Sequence, residues 1–357
     1  MKVLCFESAR NISSDLMVRL EELARPRGIQ QSPFWFQTLE QTCTTPDDQI
    51  FHLCTVDDDR VPRAYLPLCR PARPRFFKGA RELHALSSPY TTEFRPLLPR
   101  NSTVTAPLLA SLKRYCGSFD LIGFEALVED DPAYGVTVAA LKAAGFLVLD
   151  YKGFENWYEP IKQPDFHQYW ARRPGRLRNT YTRKSRALER QGNLRIDIFP
   201  DCKDLERLLD DYETVYAQSW KEAEPYPEFT PALVRRSAIA GCLRMGVLYL
   251  DDKPLAADLW LVSAGRATIF KLAYDDDAKK LSPGTVLTAA MMRYVLEQDQ
   301  VVEVDFGRGP DTYKKDWLSH LRHRRGLIAF NRTPIGLTAA ALHMGKARLK
   351  KLLKPNA

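Results

Sequence analysis

Nowhere in the 357 residues does an uncharged apolar run approach 18 residues, which leaves no stretch long enough for a membrane-crossing helix. The start, MKVLCFESARNISSD, meets Glu7, Arg10 and Asp15 before an apolar run of signal-peptide length can develop, so a cytoplasmic protein is expected. Cysteine is sparse and scattered. None of Cys5, Cys43, Cys54, Cys69, Cys116, Cys202 and Cys242 forms a C-x-x-C pair or has a histidine at ligand spacing, which argues against a disulfide framework or a zinc module. Cys5, Cys54 and Cys69 fall inside apolar strand patterns, where a reduced thiol serves as a small hydrophobe. His320 and His323 stand three apart in a basic segment without a carboxylate at useful spacing, so surface roles and no metal are expected. The Walker loop, the dinucleotide fingerprint and the Ser/His/Asp elbow are also missing, along with the chemistries they serve.

What is present is ample for two cores: 45% hydrophobic, 11% aromatic and 27% charged residues in a length suited to two domains. The net charge of +8 is concentrated, with Arg172, Arg173, Arg176, Arg178, Arg183, Lys184, Arg186 and Arg190 in one segment opposed only by Glu189. Such a surface attracts polyanions, or is a solvated helix face. The tail ALHMGKARLKKLLKP mixes Leu342, Met344, Leu349, Leu352 and Leu353 with lysines; it predicts an amphipathic helix that either touches a membrane surface or packs on the domain.

FHLCTVDDDRVPRAYLPLC (51 to 69) predicts a hairpin turning at Asp57 to Arg60. LIGFEALV, FLVLDY and FENWYEPI read as further strands, and the domain boundary is placed between Asp150 and Gln163. The second half opens on a basic helical stretch interrupted at Pro174 and Gly175 and stopped by Gly192. Then follow the strand LRIDIF, a helix capped by Asp201, and a helix from about Thr230 to Met245. GVLYL, PLAADLWLV and ATIFKLAY form a meander, followed by the helix TVLTAAMMRYVLEQ and the strand VVEVDFG. A mixed sheet with helices on both faces is the expected architecture.

Chemistry concentrates between Tyr274 and Trp317. Ser282, Pro283 and Gly284 stand where a strand gives way to a helix, after Lys279 and Lys280. A helix start offers unpaired N–H groups and positive dipole charge, suited to a pyrophosphate, although S-P-G there is equally an ordinary cap. Asp305 ends an apolar strand and reads as a general base, an acceptor anchor or a cap for the Gly307 turn. Tyr313 is a proton donor or a packing residue, and Lys314 or Lys315 is positioned to neutralise phosphate or an oxyanion. Asp258 interrupts the apolar strand LAADLWLV, where an unpaired carboxylate is costly, and is a second base candidate.

The set Tyr274, Ser282-Pro283-Gly284, Asp305-Phe306-Gly307-Arg308-Gly309, Tyr313-Lys314-Lys315 and Trp317 resembles the CelD-type GNAT acetyltransferases, named for a role in cellulose biosynthesis. The D-F-G-R followed by Y-K-K-x-W is also similar to the FemAB-like tandem-GNAT transferases. The resemblance covers about Phe166 to Phe330; the first half is similar to the degenerate N-terminal copy in length and broad pattern. It implies an α/β (α+β) protein of tandem GNAT-like domains, each a mixed, mostly antiparallel sheet flanked by helices. Residues 1–155 would be the degenerate copy, 156–335 the acyl-donor domain, and 336–357 a basic amphipathic tail.

The resemblance also implies acetyl-CoA or another acyl-CoA, bound in the V-shaped opening of the second sheet. Lys280, Ser282, Pro283, Gly284 and Thr285 would meet the phosphates, and backbone N–H groups near Leu272 and Ala273 would polarise the thioester carbonyl. Of the usual Q/R-x-x-G-x-G/A motif only Gly284 is present. Three functions follow. One is acyl transfer to an amine or saccharide-type acceptor in exopolysaccharide or cell-envelope metabolism. Another is Fem-like transfer from aminoacyl-tRNA held by Arg172, Arg173, Arg176, Arg178, Arg183 and Lys184. The third is a non-catalytic scaffold, peripheral at the inner face of the membrane. Ser88 to Glu93 is the first-half loop expected to face the acceptor.

Overall fold

The computed structural model describes residues 1–99, 102–200, 203–309 and 311–353. Asp201 and Cys202 lie outside the described residues, as do the side chains of Leu349, Leu352 and Leu353. The chain forms two compact units, 1–154 with 323–357 and 155–322.

The first unit contains β1 (Lys2–Phe6), α1 (Ser14–Ala24), α2 (Pro33–Thr42), β2 (Gln49–Val56), β3 (Pro62–Arg70), β4 (Glu82–Ala85), α3 (Ser102–Ala110), α4 (Leu112–Cys116), β5 (Leu121–Val128) and α5 (Pro132–Ala143). Its helix starts are locally encoded: Ser13 caps the amide of Leu16, Ser32 that of Trp35 and Asp131 that of Ala133. The β2–β3 hairpin turns where expected, with Asp57 Oδ1 accepting from the amides of Asp59 and Val61. β1 through β4 pair antiparallel in order, and β4 then pairs parallel with β5.

The strand β6 (Leu147–Pro160) runs across position 154/155 as one element, where the sequence pattern suggested two. The second unit continues with α6 (Phe166–Ala171), α7 (Gly175–Gln191), β7 (Leu194–Phe199), α8 (Leu205–Ala217), α9 (Phe229–Ile239), β8 (Leu243–Leu250), β9 (Lys253–Ser263), β10 (Arg266–Tyr274), α10 (Pro283–Glu297), β11 (Glu303–Arg308) and α11 (Lys314–Trp317). β7 to β10 pair antiparallel in sequence order, β10 pairs parallel with β11, and β11 pairs antiparallel with residues 156–160 of β6. The faces are divided cleanly. Ala256 and Trp260 pack under α10 with Val286, Leu287 and Met291, whereas Ala257 and Leu259 pack with Leu208, Leu209 and Val215 of α8. α10 lies so close to β8 that a Cβ at Gly246 would sit 2.5 Å from Met291 Sδ.

The C-terminal end departs from the expected division. β12 (His320–Phe330) pairs antiparallel with β5, and α12 (Pro334–Leu353) follows it in the first unit. The segment 336–357 is therefore not a separate tail: Ala339 and Ala340 are buried with Ile328 and Phe330, and Met344 packs on the same cluster. Leu337 and Leu342 remain exposed. No helix among the described residues is long and apolar enough to cross a membrane.

Candidate active site

In the second unit β10 and β11 pair over three residues only, Arg266 to Thr268 against Glu303 to Asp305, and then run on without pairing to each other. The split begins beside an irregularity in β10 between Ile269 and Lys271. Past it, Asp275 N donates to Leu255 O at 2.9 Å, which fixes the phase of the β9–β10 ladder. Antiparallel alternation then turns the amides of Ala273 and Lys271 toward β9 and those of Leu272 and Tyr274 toward the split. Of the two amides expected to meet a carbonyl, Leu272 faces the opening and Ala273 serves the sheet.

The chain leaves β10 through a 3-10 turn, Asp276–Leu281, and enters α10 at Ser282, whose φ of 52° and ψ of 49° are left-handed. The Ser282 side chain makes no capping bond, and Pro283 occupies the first turn without an amide to donate. A Cβ at Gly284 would sit 3.0 Å from Tyr274 Cδ1 and 3.6 Å from Leu272 Cδ1, so this helix start is narrowed to glycine by the strand that borders the split. Lys280 is exposed, and its carbonyl accepts from Lys184 Nζ of α7, bringing the basic helix alongside the turn. These residues fit a phosphate-bearing donor: a positive helix start, a backbone left bare at Gly284, and cations on its flank.

A set of ionisable groups collects near the split. Asp258 is fully buried opposite Leu272, and its Oδ2 accepts from Thr288 Oγ1 of α10 at 3.1 Å. Its Oδ1 meets no partner at bonding distance, nor does Trp260 Nε1, although the two lie near enough for the indole to favour the charged carboxylate. Burial nonetheless dominates and pushes the Asp258 carboxyl up to about 7, against the pull of Trp260, Thr288 and Lys221. Lys221, in the loop between α8 and α9, is lowered to about 8, first by burial and then by the charge of Lys271, while Glu224, Asp258 and Asp311 oppose the shift. Lys271 is lowered by burial too, but it is ion-paired to Glu224. Tyr313 is 45% exposed as a residue, yet its phenol is held above its ordinary value by lost solvation and by Asp311 and Asp258.

Two predicted catalytic groups are committed elsewhere. Asp305 Oδ1 accepts from Asn156 Nδ2 and Gly307 N, both at 2.7 Å, and Oδ2 accepts from Arg322 at 2.7 Å. Its carboxylate thus braces the turn after β11 and is not free to take a substrate proton. Lys314 is 4% exposed and donates to Arg308 O at 2.7 Å while pairing with Asp311 at 2.9 Å. Its ammonium holds the same turn and does not reach out to a phosphate. Arg173 likewise departs from the expected polyanion surface: it is buried, pairs with Glu159 at 3.1 Å and donates to Trp317 O at 2.5 Å. Arg172, Arg178 and Arg183 are exposed, and Arg176 reaches Asp316 at 3.6 Å.

Sequence reasoning missed Lys221, Glu224 and Lys271. Lys271 carried a signal, a lysine in the middle of ATIFKLAY; the other two sit in an aperiodic loop. The six described cysteines form no disulfide, and burial lifts Cys54, Cys69 and Cys116 to about 12. A groove of about 830 Å3 on the first unit, bordered by Glu40, Asp48 and Arg70, offers less chemistry. Glu40 already accepts from Ala9 N and faces His52 at 3.0 Å, and Asp48 caps Thr45 and Ala72.

Comparison with known proteins agrees with the geometry. Residues 175–315 match the acetyltransferase (GNAT) domain family. No curated protein sequence matches the chain. Among solved structures the fold is similar to that of FemX, with a TM-score of 0.65 at 12% identity over 95% of this chain and 99% of that one. It is also similar to a tandem GNAT protein from the clavulanic acid biosynthesis pathway, with a TM-score of 0.51 at 11% identity over 93% and 99% of the two chains. The chain has the tandem GNAT fold, and its residues 175–315 match the GNAT acetyltransferase domain.

Proposed function

We propose that the protein transfers an acyl group from acyl-CoA to an amine, using the split between β10 and β11. The observation that carries this reading is the buried Asp258 carboxyl beside that split, with one oxygen unpartnered and the half-buried Lys221 amine within electrostatic reach. Acyl transfer to nitrogen needs a proton removed near neutral pH and a carbonyl oxygen polarised. Values of about 7 and about 8 put the Asp258–Lys221 pair in the useful range, and the amides of Leu272 and Tyr274 are the donors for the carbonyl. The helix start at Ser282 to Thr285, with Lys280 and Lys184 beside it, takes the pyrophosphate. Saccharide amines of the cell envelope are the acceptor class to screen first.

The test is thermal shift with acetyl-CoA, longer acyl-CoAs and free CoA, followed by thiol release in the presence of amines. A CoA-dependent rise in Tm that Gly284→Glu removes supports the reading, while no shift with any acyl-CoA contradicts it. A second reading, transfer from aminoacyl-tRNA, is favoured by the exposed Arg172, Arg178 and Arg183 on and beside a helix that touches the donor turn. Stabilisation by charged tRNA alone would select it.

A further inference from the structure

Among the described lysines near Asp258, Lys221 is one that the fold leaves uncommitted. Lys271 is paired to Glu224 and Lys314 to Asp311, whereas the Lys221 ammonium has no carboxylate or carbonyl at bonding distance among the described residues. Its Nζ lies over two rings, 5.8 Å from the centroids of both Trp220 and Tyr216.

Two observations bear on where this residue lies. On one side its neighbour Trp220 lies against Tyr274, ring centroids 4.2 Å apart, and Tyr274 is the residue that borders Gly284 at the start of α10. On the other side Lys221 acts electrostatically on Asp258, which stands directly across the ladder from Leu272, whose amide faces the opening. The lysine is therefore half-buried beside the Trp220 ring that lies on Tyr274, within electrostatic reach of Asp258, and it carries a free lone pair whenever it is neutral.

We infer that Lys221 is itself an acyl acceptor: without a bound amine, the enzyme acylates this side chain and so blocks its own site. The inference rests on the acyl-CoA reading. In the step, neutral Nζ attacks the thioester carbonyl carbon, the N–C bond forms, the C–S bond breaks, and the thiolate of CoA leaves. The proton lost from Nζ ends on that thiolate. The products are an Nε-acyl-lysine and free CoA, without oxidation or reduction. Burial favours the step as well: with a value of about 8, roughly one Lys221 in ten is neutral at pH 7, against about one in three thousand for an ordinary lysine.

The experiment is incubation of the full-length protein with acetyl-CoA and no acceptor, followed by peptide mass spectrometry over time. The expected result is one acetyl group, on Lys221, appearing about tenfold faster or more than on any other lysine. Excess free CoA should suppress it, and Lys221→Arg should lack it while keeping the acetyl-CoA thermal shift. Substoichiometric acetic anhydride, which needs no donor site, should also label Lys221 ahead of the surface lysines. A clear acetyl-CoA thermal shift with acetylation spread evenly, or confined to other lysines, overturns the inference and leaves the donor reading standing. Absence of any thermal shift overturns both.

Discussion

The two units place the same topological feature side by side for comparison. In each, an antiparallel run ends in a parallel pair only three residues long, Glu82 to His84 with Leu121 to Gly123 in the first and Arg266 to Thr268 with Glu303 to Asp305 in the second. Past that point they part. In the first unit the chain returns alongside β5, with Phe94 N donating to Ala126 O at 2.7 Å and Phe94 bridging parallel to Leu127. Thr91, Thr92 and Glu93 are buried there, and Gln30 holds the amides of Thr92 and Glu93. The charges are closed as well: Glu93 faces Arg95 and the buried Arg324, and Asp131 faces Arg27 and Arg95. Among the described residues of the second unit no strand pairs with β10 in the split past Thr268, and Asp258 Oδ1 meets no hydrogen-bond partner. The buried charges of the first unit are paired, whereas Asp258 in the second keeps one oxygen open, the kind of buried group that marks a candidate site.

Breaking the open side should show first in rate. Asp258→Asn is expected to lower kcat by about a hundredfold or more, the range for losing a proton acceptor. It should at the same time raise Tm at pH 8. The native carboxyl holds its proton up to about 7 while an unfolded aspartate releases it near 3.8, so the native state binds more protons across that window and loses stability as pH rises through it. The asparagine should remove that decline, a gain on the order of a few kcal/mol at pH 8. Loss of activity together with loss of stability would make Asp258 a structural residue.

The closed side should respond in the opposite way. Glu93→Gln removes the carboxylate charge that faces the buried Arg324 and is expected to cost about 3 kcal/mol, or roughly 6–12 °C in Tm, without altering the affinity for acyl-CoA. A smaller and sharper effect is expected in the pH profile: kcat/KM should rise along a limb between about 7 and about 8 that belongs to the Asp258–Lys221 pair as a unit. Lys221→Met should displace that limb. Smallest of all, Arg178→Ala with Arg183→Ala should leave stability within about 1 kcal/mol of the parent and weaken only salt-sensitive retention on polyanions.

The sequence made much of this legible where a pattern was local. The meander β8 to β10, the Pro283 start of α10 and the β2–β3 turn are written in alternation, a proline and an aspartate at fixed offsets. Asp258 stood out because a carboxylate in LAADLWLV has no cheap burial. What stayed hidden depends on partners far along the chain. Asp305 reads as a base until Asn156 and Arg322 are found on its oxygens, and Arg173 reads as surface until Glu159 is found beside it. β12 was obscured for the same reason: His320 to Arg325 is too basic to suggest a strand, yet Arg322 is paired to Glu303 and Asp305, Arg324 is buried near Glu93, and Arg325 is paired to Asp150. Lys221 had no periodicity to betray it, because its position follows from Trp220 lying on Tyr274.

The contrast between the two units is tested most directly by hydrogen exchange with and without acetyl-CoA. Slowed exchange is expected in peptides spanning 270–290, with none in 86–99. Protection in 86–99, or none anywhere at saturating acetyl-CoA, would contradict the assignment of the open split as the donor site.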